Sequence, residues 1–285
     1  MKFVITGSGG CVCTPKPLCQ CSVCLEARSK GYPYARCGCS LYLEDISLLI
    51  DTPEDIAIAL NNANIKTVSS IMYSHWDPDH TMGMRIVEQL RMEWLDYYKG
   101  IMPSSPITVY AQTRVMKDLN GYRTKFGPLM DYFEYTRNLI RRHEVERDVE
   151  LQNIKITFVP VPRDDAVTVF VFESNGSKLI YAPCDCLPFP DDIILYDANT
   201  LILGNTFIGE VLKNNNIIDS NHPLRKELHS LQDALRIQKA IRAERLVITH
   251  IEEDFGKSFS DYIKMESEYD KVSFAYDGMV IIYSN

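Results

Sequence analysis

His75-Trp76-Asp77-Pro78-Asp79-His80 places two imidazoles and two carboxylates within six residues. The stretch follows Val68-Ser69-Ser70-Ile71-Met72-Tyr73-Ser74, which reads as a buried strand. It precedes Gly83 and the run Met84 to Leu90, which reads as the start of an amphipathic helix continuing to about Tyr98. A loop that leaves the C-terminal end of a strand and opens into a helix is where α/β folds place chemistry. Imidazole with carboxylate suits a divalent transition metal, and Pro78 stiffens the loop so that several ligands can be preorganised. A helix N-terminus with Asp caps and incidental histidines is the plainer alternative. The rest of the chain decides between them.

Working outward, other strand ends carry the same residue types. Asp164 and Asp165 follow the strand Ile154 to Val159, and Asp185 follows Lys178 to Tyr181, flanked by Cys184 and Cys186. His250 ends the strand Leu246-Val247-Ile248-Thr249. His229 opens a helix that runs to about Ala243. As a helix N-terminal residue it would simply bond the backbone; beside a substrate it would be an acid or base. Cys184 and Cys186 read first as small core residues, and otherwise as soft ligands joining the site.

Near the start, residues 2–6 form a strand that enters the turn Gly7-Ser8-Gly9-Gly10. No Lys-Ser/Thr pair follows, so this is not a phosphate loop. Seven of nine cysteines precede residue 40. Cys19, Cys21 and Cys24, spaced Cys-x-Cys-x-x-Cys, can reach one tetrahedral zinc if a fourth ligand arrives from elsewhere. Cys39 is taken as that ligand, with Cys37 as its neighbouring alternative. A closed thiolate set leaves no open position, so the site reads as structural.

Composition sets outer bounds. The chain has 285 residues, 46% of them hydrophobic, enough for a full core. No apolar run reaches the roughly 18 residues of a membrane span, and the first apolar stretch is too short for a secretory signal. Both point to a cytoplasmic protein, in which nine cysteines serve as ligands or core thiols rather than disulfides. A formal charge of −8 disfavours a long nucleic acid as partner. Residues 112–150 are polar and helical in pattern, rich in Tyr, Arg and Glu, and read as an insertion able to cap the site. An exposed face of the strand-rich core would support a homodimer.

The spacing of these ligands resembles the metallo-β-lactamase superfamily over nearly the whole chain. Within it, the early glycine turn, Cys19-x-Cys21-x-x-Cys24, His229, Leu246-Val247-Ile248-Thr249-His250 and Tyr276-Asp277-Gly278-Met279 resemble two groups. These are the PhnP-type cyclic phosphodiesterases and the PqqB-type proteins of quinone-cofactor biosynthesis. The resemblance implies an α/β fold, a four-layer αββα sandwich with the helical insertion around 112–150. Residues 1–285 would be a single domain with a zinc-binding N-terminal loop at 11–39.

It also implies ligand roles. His75 and Asp77 fall at metal-1 positions, Asp79 and His80 at metal-2 positions, Asp185 at the bridging carboxylate and His250 at the last metal-2 ligand. His229 matches a proton donor to the leaving group. The departures are as informative. Asp77 stands where the superfamily has His, and no histidine lies near 160–166. The third metal-1 ligand is therefore Asp164, or Asp165, or absent. Glu253 stands where the family supplies a structural-zinc His, which makes it a further alternative to Cys39 and Cys37 as the fourth ligand.

The implied cofactors are one structural zinc and one or two active-site divalent metals, Zn, Mn or Fe. Carboxylate-rich ligands shift the balance toward Mn²⁺ or Fe²⁺; in a second reading metal 1 is weak or empty and site 2 works alone. The implied function is a metal-dependent hydrolase, a phosphodiesterase that cleaves a small or cyclic phosphodiester through a metal-activated hydroxide, with Asp79 and His229 as catalytic residues. The alternatives are a PqqB-like iron-dependent oxygenase and a degenerate, non-catalytic metal-binding member of the fold.

Overall fold

The computed structural model describes residues 1–283. Its frame is two seven-stranded mixed sheets. The first runs, edge to edge, Val280–Ile282, Lys2–Gly7, Ser40–Leu43, Leu48–Ile50, Ser70–Met72, Ile107–Gln112 and Ile140–Val145. The second runs Val272–Phe274, Arg245–Ile248, Thr200–Leu203, Ser177–Ala182, Thr168–Ser174, Ile154–Pro160 and Asp148–Leu151. Each sheet is antiparallel in one half, where hairpins connect neighbours, and parallel in the other, where helices cross over.

Strand residues alternate between two buried environments. Phe3, Ile5, Leu48 and Ile50 meet Phe158, Phe170, Phe172 and Tyr181 in a cluster between the sheets. Val4, Leu49, Ile71 and Val109 face outward onto Ile56, Leu60, Val87 and Met116 of flanking helices. On the far side Val169, Val171, Leu201 and Leu246 pack against Leu231, Ala234 and Tyr262. Burial on both faces explains the near-continuous apolar runs such as Leu48-Leu49-Ile50. The layers are therefore helix, sheet, sheet, helix, the αββα sandwich expected.

Two local expectations need correction. The helix after His80 does not run to Tyr98 but breaks into Pro78–Thr81, Ile86–Arg91 and Trp94–Tyr97. At Gly83 a Cβ would sit 1.9 Å from the Pro53 carbonyl oxygen, so the chain passes against backbone there and must turn. In 112–150, helical structure is confined to Thr113–Leu119 and the stretch Leu129 to Thr136. Ile140–Val145 and Asp148–Leu151 are edge strands, one in each sheet. Only Ile140 and Val145 of the former are buried; Arg141, His143 and Glu144 are exposed, and Arg142 is half-buried against Glu134. Charged side chains protect a sheet edge from pairing with another chain, and that use of polar residues hides the strand from a periodicity reading.

Among the described residues, no helix is long and apolar enough to cross a membrane.

Candidate metal centre

The ligand-bearing loops all leave C-terminal strand ends at one rim of the sandwich. After Ser70–Met72, the segment 73–77 leads into the single turn Pro78–Thr81, with Pro78 at its first position and the His80 amide bonded to the Asp77 carbonyl at 2.9 Å. That turn lays His75 and His80 side by side, ring centroids 4.3 Å apart, both essentially buried. The Thr81 hydroxyl bonds the Trp76 and Asp77 carbonyls, and Tyr122, from the 112–150 stretch, donates to the Trp76 carbonyl at 2.7 Å. From the second sheet, His250 stacks on His80 at 5.3 Å.

Two groups of ligand atoms result. His75, Asp77 and Asp185 lie together, as do Asp79, His80 and His250, each group spanning no more than 4.8 Å. His75 Nε2 is 3.7 Å from Asp77, while Asp79 Oδ2 is 3.6 Å from His80 Nε2 and 3.4 Å from His250 Nε2. A third group brings Cys184 to His75 and His80.

Asp51 organises both loop histidines, and sequence reasoning missed it. It is fully buried directly after Leu48–Ile50, where a charged residue ending an apolar run was the available signal. Its Oδ2 takes a hydrogen bond from His80 Nδ1 at 2.9 Å and from the Ser74 hydroxyl at 2.6 Å. Because that hydroxyl gives its proton to Asp51, it accepts from His75 Nδ1 at 2.8 Å. His75 is thus fixed with Nδ1 donating and Nε2 presenting a lone pair, and His80 with Nδ1 held by Asp51 and Nε2 turned to the rim, the orientation metal-binding histidines require. Asp51, Asp185 and His250 all adopt left-handed backbone, with φ of 61°, 51° and 53°. Strain of that kind in non-glycine residues concentrates at functional sites.

The electrostatics favour a cation. Burial, followed by the charge of Asp185 and Asp79, raises the pKa of Asp77. Burial opposes ionisation of Asp79, but His250 and then His80 hold its carboxyl below the usual range. His75 is pushed well below the imidazole range by burial and then by His80. Most directly, His75 Nε2 and His80 Nε2 are buried without a hydrogen-bond partner, and neither His250 nitrogen has an aligned one. Buried imidazole nitrogens left bare are costly. A divalent ion would satisfy them, and the imidazole–carboxylate donor set suits one.

The remaining expected residues sit elsewhere. Asp164 and Asp165 are exposed, in a cleft of about 520 Å³ with Trp76, Arg114 and Lys117, and neither joins a ligand group. Arg163 turns inward instead, its guanidinium 3.6 Å from Asp185 Oδ1. His229 is buried, and its Nε2 bonds the Cys186 carbonyl at 3.0 Å. Burial lowers its pKa. Through that contact with the Cys186 carbonyl the ring braces the 184–186 turn.

Cys19, Cys21 and Cys24 converge as their spacing suggested, but the fourth member is Glu253, not Cys39. Glu253 Oε1 lies 2.9, 3.0 and 3.5 Å from the sulfurs of Cys21, Cys24 and Cys19. Cys39 is buried between the sheets against the Tyr181 hydroxyl at 3.4 Å, and Cys37 contacts the Tyr32 hydroxyl at 3.0 Å. Both thiols are buried in the core, away from the cluster. Lys213 Nζ closes the group, 3.1 Å from Cys19 Sγ and 2.6 Å from Glu253. Burial works against the Glu253 charge, but Cys21 and Lys213 hold its pKa down at about 2. Three thiols and one carboxylate are an acceptable tetrahedral zinc set.

A family model described as a beta-lactamase superfamily domain matches residues 47–251. No curated protein sequence matches the chain. Among solved structures, a diphosphatase from the PhnP family is similar at 19% identity and a TM-score of 0.71, covering 99% of this chain and 98% of its own. Zn²⁺-bound PqqB from Methylobacterium extorquens is similar at 17% identity and a TM-score of 0.73, covering 99% and 100%. The short form of human tRNase Z is similar at 16% identity and a TM-score of 0.64, covering 99% of each. At these identities the likeness is one of fold.

Proposed function

Since the chain belongs to the beta-lactamase superfamily, we propose that it is a metal-dependent hydrolase that cleaves a small or cyclic phosphodiester. The carrying observation is the pair of orphaned, buried Nε2 atoms of His75 and His80, held toward the rim by Asp51 and ringed by Asp77, Asp79, Asp185 and His250. In this reading His75, Asp77 and Asp185 hold one divalent ion and Asp79, His80 and His250 a second. Residues 1–285 act as one unit, and the Cys19–Cys21–Cys24–Glu253 group holds a structural zinc. Bound divalent ions would supply Lewis acidity toward a phosphoryl oxygen and bring water's pKa toward neutrality.

The chain's own groups do the rest. Asp79, kept ionised at the rim, would accept a hydrogen bond from an attacking water and orient it. Arg163, a guanidinium beside Asp185, is suited to two phosphoryl oxygens in a fork. The neighbouring cleft with Trp76, Arg114 and Lys117 offers an aromatic face and two cations to the substrate's remainder. The fold likeness to a PhnP-family diphosphatase and a tRNase Z supports phosphorus–oxygen chemistry. His229 is proposed to brace the Cys184–Cys186 turn. Its replacement by Ala should then slow diesters with good and poor leaving groups by similar factors. A loss confined to poor leaving groups would restore the proton-donor role.

A second reading, an iron-dependent oxygenase, is favoured by the carboxylate-rich set His75, Asp77 and Asp185 and by the likeness to PqqB. Protein loaded separately with Zn²⁺, Mn²⁺ or Fe²⁺ should be assayed on bis(nitrophenyl) phosphate, a cyclic nucleotide diester and, with iron, for oxygen uptake. The hydrolase reading expects diester cleavage that Asp79→Ala abolishes. Protein with ions at both groups that cleaves no diester would sink it, and substrate-dependent oxygen uptake would favour the oxygenase.

A further inference from the structure

Cys184 stands where the two ligand groups meet. Its ligand atom lies within 4.8 Å of those of both His75 and His80, which belong to different groups, and all three residues are buried. Asp185, expected to be the shared carboxylate, joins only His75 and Asp77 and is drawn aside by Arg163 and by Asn205 Nδ2 at 3.4 Å. Asp185 itself sits at a left-handed φ of 51°. Gly204 presses this turn into the site: a Cβ there would fall 1.6 Å from the Pro183 carbonyl oxygen and 2.9 Å from His250 Cβ.

From this placement we infer that the Cys184 thiolate, rather than the Asp185 carboxylate, is the ligand shared between the two ions. The inference rests on the metal-site reading above but goes beyond it. The two imidazole nitrogens beside Cys184 are buried and unpartnered, so the sulfur faces atoms that already need an ion. Asn205 Nδ2 also donates to Cys184 Sγ at 3.4 Å, a contact that suits an anionic sulfur. The ligand form is the thiolate, so its proton leaves to solvent as the ion enters. A soft sulfur at the shared position selects Zn²⁺ over Mn²⁺, against the preference that the carboxylates alone would set.

Cobalt provides the test. Wild type, Cys184→Ser and Cys186→Ser, each brought to equal Co²⁺ content by elemental analysis, are compared by near-ultraviolet absorption. Because the Cys19–Cys21–Cys24 group also contributes sulfur-to-cobalt charge transfer, the difference between proteins is the readout. Cys184→Ser should lose part of the band and Cys186→Ser should keep all of it. Cys184→Asp should lose the same part while still binding two ions, and should shift the Zn²⁺/Mn²⁺ affinity ratio toward Mn²⁺. An unchanged band in Cys184→Ser with full cobalt overturns the shared thiolate alone, and failure of wild type to bind any ion outside the thiol group overturns the metal-site reading with it. If Cys184→Ser does not fold, peptide-level alkylation of wild type decides. Cys184 should be protected with Zn²⁺ and alkylated after chelation, and equal labelling in the two states overturns the inference.

Discussion

Asp51 belongs to neither ligand group, yet it accepts a hydrogen bond from His80 Nδ1 and, through Ser74, orients His75. Asp51→Asn keeps the shape but offers an amide where two donors converge. Losing a carboxylate behind metal-ligating histidines typically costs about 10- to 100-fold in metal affinity, and that loss is expected here in a competition titration against a chelator. Affinity within a factor of two of wild type would remove Asp51 from the site. The same residue shows what sequence reading could and could not reach. His75, Asp77, Asp79 and His80 were legible because they fall within six residues, and His250 because it ends an apolar strand. Asp51 and Cys184 act through three-dimensional neighbours about 20 to 110 residues away in sequence, so the local sequence marks the one only as a charge ending an apolar run and the other only as a core thiol. Asp164 failed for the converse reason: its position along the chain fits, but the side chain faces solvent.

At the scale of elements, the thiol loop and the helix Ser22–Lys30 are one device. Cys21 is the N-cap of that helix, its sulfur accepting from the Cys24 amide at 3.4 Å, so the cluster sits where backbone N–H groups favour negative sulfur. The helix has only nine residues, is largely polar, and buries Val23, Cys24 and Ala27. It is too short to persist without tertiary support. Cys21→Ser should therefore abolish zinc retention and raise amide hydrogen exchange across residues 22–30, with little change in the central strands. Unchanged protection of this helix after zinc removal would show that packing alone holds it. Glu253 reaches the cluster from a strand-end loop far along the chain, which is why cysteine spacing pointed toward Cys39. The hairpin 168–182 was legible from its Ser-Asn-Gly-Ser turn, whereas the polar edge strand Ile140–Val145 looked helical because its partner supplies what its own composition lacks.

Across the whole molecule, two kinds of tie join distant parts of the chain. One is polar: Asp277, beyond the last parallel strand, accepts from the Ser8 amide and hydroxyl and from the Cys37 amide, with buried Arg36 on the other side of Ser8. Burial raises its pKa to about 6, against the pull of those donors. A carboxyl whose folded pKa is raised contributes most below its unfolded pKa near 4 and loses that contribution as pH rises through about 6. The stability advantage of wild type over Asp277→Asn should therefore shrink by up to about 3 kcal/mol between pH 4 and pH 7, read by denaturant unfolding at each pH. A constant difference would mean that folding does not shift the Asp277 pKa.

The other tie is the metal rim, because its ligands are divided between the sheets. His75, Asp77, Asp79 and His80 follow a strand of the first, while Cys184, Asp185 and His250 follow strands of the second. An ion held by both sets binds only when the sheets are packed face to face, so it must stabilise the sandwich as well as its own loops. At a free concentration one hundred times its dissociation constant, such an ion adds about 2.7 kcal/mol. For a chain of this size that corresponds to a Tm rise of roughly 5 to 10 °C. His250→Ala removes the imidazole that the second sheet contributes to the Asp79–His80 group, and should lose most of that rise. Cys21→Ser, whose lesion lies in the thiol loop, should keep it. If His250→Ala gained as much from added zinc as wild type, the ion would belong to the loop 75–80 alone, and the division of ligands between two sheets would have no energetic consequence.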